Sequence, residues 1–173
     1  TRTKGLLLLF TQNILRYPED HYNALGVLRS LGENGIPIIL IMLTTGKTFI
    51  EHSRYAEQCY KIERTEQDII DILKKITCDG RTYIVYPLGD FAAMALDSHY
   101  NELEQNLIVP HMKGRMKKYL NKDFAKKEAM RHGLNVAVGK VINTDNISTL
   151  EWDIFPAILK PVLSIEGVKG DIV

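Results

Sequence analysis

The chain has 173 residues, 45% of them hydrophobic and 25% charged, with a formal net charge of +1. That is the composition of an ordinary globular protein long enough to bury a real core, about one domain and a piece of another. A near-zero charge excludes a global field for nucleic acid or an anionic membrane, and the early run Gly5–Phe10 is far too short to span a bilayer. Two cysteines, Cys59 and Cys78, make no disulfide framework and fit a reducing, cytoplasmic setting.

In chain order, Gly5–Phe10 is a continuous apolar run, the pattern of a strand buried on both faces. After a polar loop, His21–Asn34 places Ala24, Leu25, Val27, Leu28 and Leu31 at helical spacing, and Gly35 is positioned to end that helix. Pro37–Leu43 predicts a second buried strand, and Tyr55–Ile62 a third, weaker one. Thr65 is a helix cap with acids in the turn that follows, and Ile69, Ile70, Ile72, Leu73 and Ile76 supply the buried face. Arg81–Tyr86 is the next strand, Pro87–Asp90 a turn, Phe91–Ser98 a helix and Leu107–Val109 a last strand. Strands alternating with amphipathic helices predict an α/β fold on a mostly parallel sheet.

The character changes near residue 111. The run Lys113–Lys118 is basic but interleaved with little aromatic character, so it reads as a solvated linker, with no nucleic-acid partner expected. Asn121–His132 predicts a short helix ended by Gly133. Leu134–Val138 and Phe155–Leu163 predict strands. The five histidines show no metal-ligand spacing with one another or with cysteine, so no metal site is read from them. A lysine on an apolar strand, as Lys160 is, is costly to bury unpaired; it either snorkels to a sheet surface or holds an anion.

The order of these segments resembles the ATP-grasp superfamily of carboxylate–amine ligases, amino-acid-ligase-like or carbamoyl-phosphate-synthase-like. Asn23–Gly32 with Gly35-Ile36-Pro37 resembles the first helix and second strand of the preceding Rossmann-like domain. Ser53-Arg54-Tyr55 and Ile84–Asp90, ending in Gly-Asp, resemble later elements of that domain. Asn121-Lys122-Asp123-Phe124 resembles the segment that opens the ATP-grasp fold, and Phe155–Pro161 the strand with its nucleotide-contacting lysine. The resemblance implies a Rossmann-like parallel sheet (a pre-ATP-grasp domain) over residues 1–114, followed by an incomplete α+β ATP-grasp subdomain over 115–173.

It also implies chemistry. The parent enzyme transfers the γ-phosphoryl of ATP to a carboxylate, and an amine (or thiol) attacks the acyl phosphate. Lys122 and Lys160 become phosphate contacts, and Ser164, Gly167, Lys169 and Gly170 belong to the lid loop. That loop departs from the family in carrying Ile165, Glu166 and Val168 where small residues are usual. Asn23, Arg54 and Asp90 are candidate substrate-binding residues in a shared cleft. For each, a local reading stays open: helix-start packing for Asn23, an ordinary loop position for Arg54, a helix cap for Asp90. The acidic Mg²⁺ ligands would lie past Val173, so no catalytic or metal residue is assigned here. The chain is expected to be an N-terminal fragment, inactive as a ligase, with small-molecule carboxylate and amine partners, no membrane partner, and association as a homodimer an open possibility. The alternative is a stand-alone Rossmann-like ligand-binding or interaction module without catalysis. A flavodoxin-like nucleotide domain is disfavoured, because Thr11-Gln12-Asn13 lacks the glycines a pyrophosphate loop needs.

Overall fold

The computed structural model describes residues 4–9, 21–44, 46–103, 105–143, 145 and 147–163, with side chains from Asn23 onward. The chain divides into two units, residues 1–116 and 117–173.

The first unit is an α/β layer structure. Its strands are β1 (Lys4–Leu9), β2 (Ile38–Met42), β3 (Ala56–Lys61), β4 (Tyr83–Pro87) and β5 (Leu107–Ile108). They form one five-stranded sheet in the order β3-β2-β1-β4-β5, and every neighbouring pair is parallel. β1 sits at the centre, paired with Ile38–Met42 on one side and Tyr83–Pro87 on the other. The apolar runs read from the sequence are these central strands: all five residues of β2 are buried, as a strand covered on both faces requires.

Helices cover both faces. On one face, helix α1 (His21–Glu33) packs Ala24 and Leu28 against Ile38, Leu40 and Met42. The β2–β3 connection crosses the same face, held by the buried Ile50 of a short 3₁₀ turn. On the other face, helices α2 (Glu66–Thr77), α3 (Asp90–Ser98) and α4 (Tyr100–Leu103) bury Ile69, Leu73, Ala92, Leu96 and Leu103 against Ile39, Ile41, Val85 and Leu107. α2 starts where its sequence dictates: the Thr65 hydroxyl oxygen accepts the Asp68 N–H at 3.0 Å. α1 ends at Gly35, whose φ of 69° suits the left-handed position. There Ile36 N–H donates to Leu31 C=O and Gly35 N–H to Gly32 C=O, the paired bonds of a glycine-terminated helix.

Among the described residues, no element covers the half of the α1 face that lies over β4 and β5. Strand alternation sends Tyr83, Val85 and Leu107 into the core and leaves Ile84, Tyr86 and Ile108 at 43%, 53% and 56% exposure. β5 contributes only two residues to the sheet before the chain turns away. The turn is fixed by Asp97 on α3. That carboxylate is 3% exposed and accepts the N–H groups of Met112 and, at 2.7 Å, Met116.

The second unit holds helix α5, which begins at the boundary (Met116–Leu120), helix α6 (Lys122–Arg131) and a 3₁₀ turn at Ile147–Thr149. α6 is capped by Asn121, whose Oδ1 accepts the Phe124 N–H at 2.9 Å. It ends at Gly133 with the same paired bonds as α1. The strands expected at 134–138 and 155–163 are not formed: among the described residues this unit contains no strand, so its α+β character is not seen there. The reason is physical. Pro156 and Pro161 offer no N–H to a ladder, and an apolar segment becomes a strand only against a partner. Phe155 and Ile158 remain 76% and 78% exposed, and Leu163 is the one buried residue among those described in the unit.

Lysines stitch the irregular segments instead. Lys126 Nζ donates to Gly139 C=O at 3.1 Å, and Lys140 Nζ to Glu151 C=O at 3.0 Å. No helix of the described residues is long and apolar enough to cross a membrane.

Candidate functional site

The two lysines singled out by sequence belong to segments that the second unit brings together. Lys122 is the first residue of α6. Its backbone N–H donates to Val162 C=O at 3.0 Å, and its ammonium donates to Pro161 C=O at 2.8 Å. Lys160 immediately precedes Pro161 and is exposed. The cap explains the geometry at Lys122. Asn121 spends its oxygen on Phe124, so the first N–H of the helix is left to find another acceptor, and the Val162 carbonyl supplies it.

Cations cluster around this corner. Lys118 Nζ lies 4.4 Å from the centre of the Phe124 ring, and Tyr119 meets that ring edge-on at 5.3 Å. Asp123 on the first turn of α6 is taken by Lys127 at 2.6 Å, and Glu128 by Arg131 at 2.9 Å. The N–H groups and an ammonium at a helix start are donors suited to anion oxygens. Here those donors of Lys122 are given to the carbonyl oxygens of Pro161 and Val162, and donors of this kind suit phosphate oxygens by chemistry. Ser164, Gly167, Lys169 and Gly170 lie outside the described residues. A shallow depression lined by Lys140–Ile142 and Thr149–Glu151 contains neither Lys122 nor Lys160.

The substrate candidates of the first unit fall at opposite edges of its sheet. Asp90 begins α3, just past the carboxyl end of β4. Asn23 is exposed in the first turn of α1. A helix of 13 residues is about 20 Å long and α1 ends just before β2, so its start also lies toward the carboxyl edge. Arg54 instead precedes β3, at the amino edge. There its Nη2 donates to the Tyr55 hydroxyl at 2.7 Å, and the guanidinium lies over that ring at 4.8 Å. The Tyr55 hydroxyl donates in turn to Glu33 at 3.4 Å. The hydroxyl bond holds the Arg54 pKa above its ordinary value. Parallel sheets present ligands at carboxyl ends, so Asn23 and Asp90 share the favourable edge and Arg54 does not. The helix cap of α3 is Gly89 rather than Asp90, whose charge instead faces the positive end of the helix.

Three groups carry no sequence signal of their own. Arg64 rests its guanidinium 4.7 Å from the Phe91 ring at the start of α3, with a buried Nε that has no partner among the described atoms. His111 stacks on Tyr100 with ring centres 3.6 Å apart. Asp97 interrupts the apolar run Phe91–Leu96 near the end of its helix, and only the structure shows which backbone it meets. Among the described residues no three His, Cys, Asp or Glu side chains are grouped to hold a metal ion.

Compared with known proteins, the chain matches no protein-family model and no curated protein sequence.

Proposed function

We propose that this chain carries the phosphate-contacting lysines of an ATP-grasp-like carboxylate–amine ligase. The observation that supports the reading is the pairing of the Lys122 ammonium and amide with Pro161 and Val162, which draws the segment of Lys160 to the start of α6. In this reading the first unit is a Rossmann-like domain, whose strand order and two-faced helix layers agree with that class. ATP supplies the phosphoryl group that activates a carboxylate toward an amine.

The residues of the chain contribute position and charge. Lys122 and Lys160 offset phosphate charge with two ammonium groups, and the α6 start adds N–H donors and the favourable end of its dipole. Asn23 and Asp90 face the edge where a small substrate would enter. Calorimetric titration with ATP tests the reading. Binding should be measurable, and Lys160→Met should weaken it about tenfold, the loss of one charge-assisted contact. Unchanged affinity in Lys160→Met, or no binding by the unaltered chain, overturns it.

The bare face over β4 and β5 favours a second reading, an interaction module that docks through Ile84, Tyr86 and Ile108. If this face pairs two copies, sedimentation should show a concentration-dependent dimer that Ile108→Lys returns to monomer. A monomer at all concentrations removes the homodimer version.

A further inference from the structure

Independently of the phosphate reading, we infer that residues 112–116 form a locked cleavage site for a protease specific for basic residues, and that the Asp97 carboxylate is the lock. The site lies wholly in the first unit, on the stretch that leaves β5 and reaches α5. Its middle is a tight turn. Lys113 and Gly114 take φ of 55° and 76°, and the Arg115 N–H donates to Met112 C=O at 3.3 Å, the signature of a type I′ turn. The Arg115 Nε donates to the same carbonyl at 3.1 Å. Lys113 and Arg115 are both exposed, so the side chains such a protease recognises are on the surface.

The backbone is withheld. Asp97 on α3 is 3% exposed and accepts the N–H groups of Met112 and, at 2.7 Å, Met116, with the Gly114 N–H adding to them. The Gly114 and Met116 N–H groups belong to the two peptide bonds that follow Lys113 and Arg115. Those are the bonds a basic-specific protease hydrolyses: water adds at the carbonyl carbon, the C–N bond breaks, and a new carboxylate and a new amine are left. A protease binds its substrate extended, with the backbone around the scissile bond free. Lys113 therefore has to leave its left-handed φ, and the N–H groups have to leave Asp97, before either bond is cut. Upstream, His111 stacks on Tyr100 of α4 with ring centres 3.6 Å apart, which holds the entry to the turn as well.

Local opening is what the lock controls. β5 gives only two residues to the sheet, and residues 112–115 that follow belong to no helix or strand. Exposed turns held by few contacts open far more often than a core does, and a protease reads the fraction that is open. A carboxylate is a strong acceptor for backbone N–H groups, and each one it holds lowers that fraction. Asp97→Asn keeps the shape of the side chain but has a single acceptor oxygen, and its NH2 group sets a donor against a donor.

Trypsin acting on the folded 173-residue chain, with fragments timed by mass spectrometry, tests the lock. Cleavage after Lys140, which is exposed and in neither helix nor strand, is the internal reference. In the unaltered chain, cleavage after Lys113 and Arg115 should run about tenfold or more slower than after Lys140. Asp97→Asn should speed it about tenfold or more, leave the Lys140 rate unchanged, and leave the β2 amides protected from exchange as proof of a folded first unit. Lys113→Gly, at a φ that suits glycine, should slow the cut after Arg115 several-fold. An unaltered chain cut in the turn as fast as after Lys140, or an Asp97→Asn chain cut there at the unaltered rate, overturns the lock. If Asp97→Asn loses its β2 protection, Lys113→Gly decides alone, and a rate after Arg115 that does not fall overturns it.

Discussion

The carboxylate of Asp97 is buried to 3% exposure with no ion pair among the described residues, a position that costs several kcal/mol unless hydrogen bonds replace water. Burial pushes its pKa up, but the N–H groups of Met116, Met112 and Gly114, with His111 nearby, outweigh burial and hold it below the usual carboxylate value. A depressed folded pKa contributes stability that is present above the unfolded value of about 3.9 and lost as pH falls through the folded one. Asp97→Ala leaves three donors without an acceptor and should cost about 3 kcal/mol, read from urea midpoints at pH 7. The loss should shrink below pH 3; a pH-independent loss would mean the carboxylate acts through packing alone. His99 has the opposite sign. Its bond to Glu102 at 2.8 Å raises its pKa against a smaller lowering by burial, with Glu66 at 3.3 Å adding to the rise. Its contribution is present below about pH 6.5 and fades as pH rises through the raised folded value. The unaltered chain should therefore lose a few tenths of a kcal/mol between pH 6 and pH 9, as befits a half-exposed cluster, and His99→Gln should flatten that slope. Asp97 does not advertise its role in the sequence, because its partners are backbone groups 15 and 19 residues on; the Glu102 partner of His99 is only three residues away, but Glu66 reaches it across 33 residues.

At the scale of elements, what was legible is what local chemistry dictates. The Thr65 cap, the ends of α1 and α6 at Gly35 and Gly133, and the buried strand β2 all follow from residues within a turn of the feature. Segments 134–138 and 155–163 have strand-like composition but two prolines and no partner, and composition cannot supply the second half of a ladder. Close approach between elements is equally hidden. Gly32 on α1 lies directly under Tyr55: a Cβ there would fall 2.5 Å from Cγ of that ring. Gly32→Ala gains helix propensity worth about 1 kcal/mol yet must push the ring off the helix, breaking the Arg54–Tyr55–Glu33 chain. The expected net result is a loss of about 1–2 kcal/mol in chemical denaturation, with Tyr55→Gly, which removes the crowding Cβ as well as the ring, relieving the penalty of the glycine change. A stabilised Gly32→Ala would show that the ring moves freely.

The two units of the molecule are held together by different physics. The first unit has two apolar clusters, one on each face of the sheet, from Leu28 and Leu40 on the α1 side and Leu73 and Val85 on the other. The second relies among its described residues on caps, surface ion pairs and lysine-to-carbonyl bonds, which individually add little. Amide exchange should separate them: the amides of β2 should exchange only through global opening, while those of α6 exchange through local opening about a hundredfold faster or more. Equal protection in both would mean a core that the described residues do not reveal. This contrast also sets how far function could be read. Lys122 and Lys160 were legible as residue types in order, and their junction through Pro161 was not, because it joins positions 39 residues apart.

The most direct measurement of the central claim, that Lys122 and Lys160 meet the phosphates of a nucleotide, is affinity labelling with an adenosine polyphosphate that ends in pyridoxal, followed by borohydride reduction and peptide mapping. The account predicts label on Lys122 and Lys160, suppressed by ATP. Label spread over lysines along the whole chain, unaffected by ATP, would contradict it.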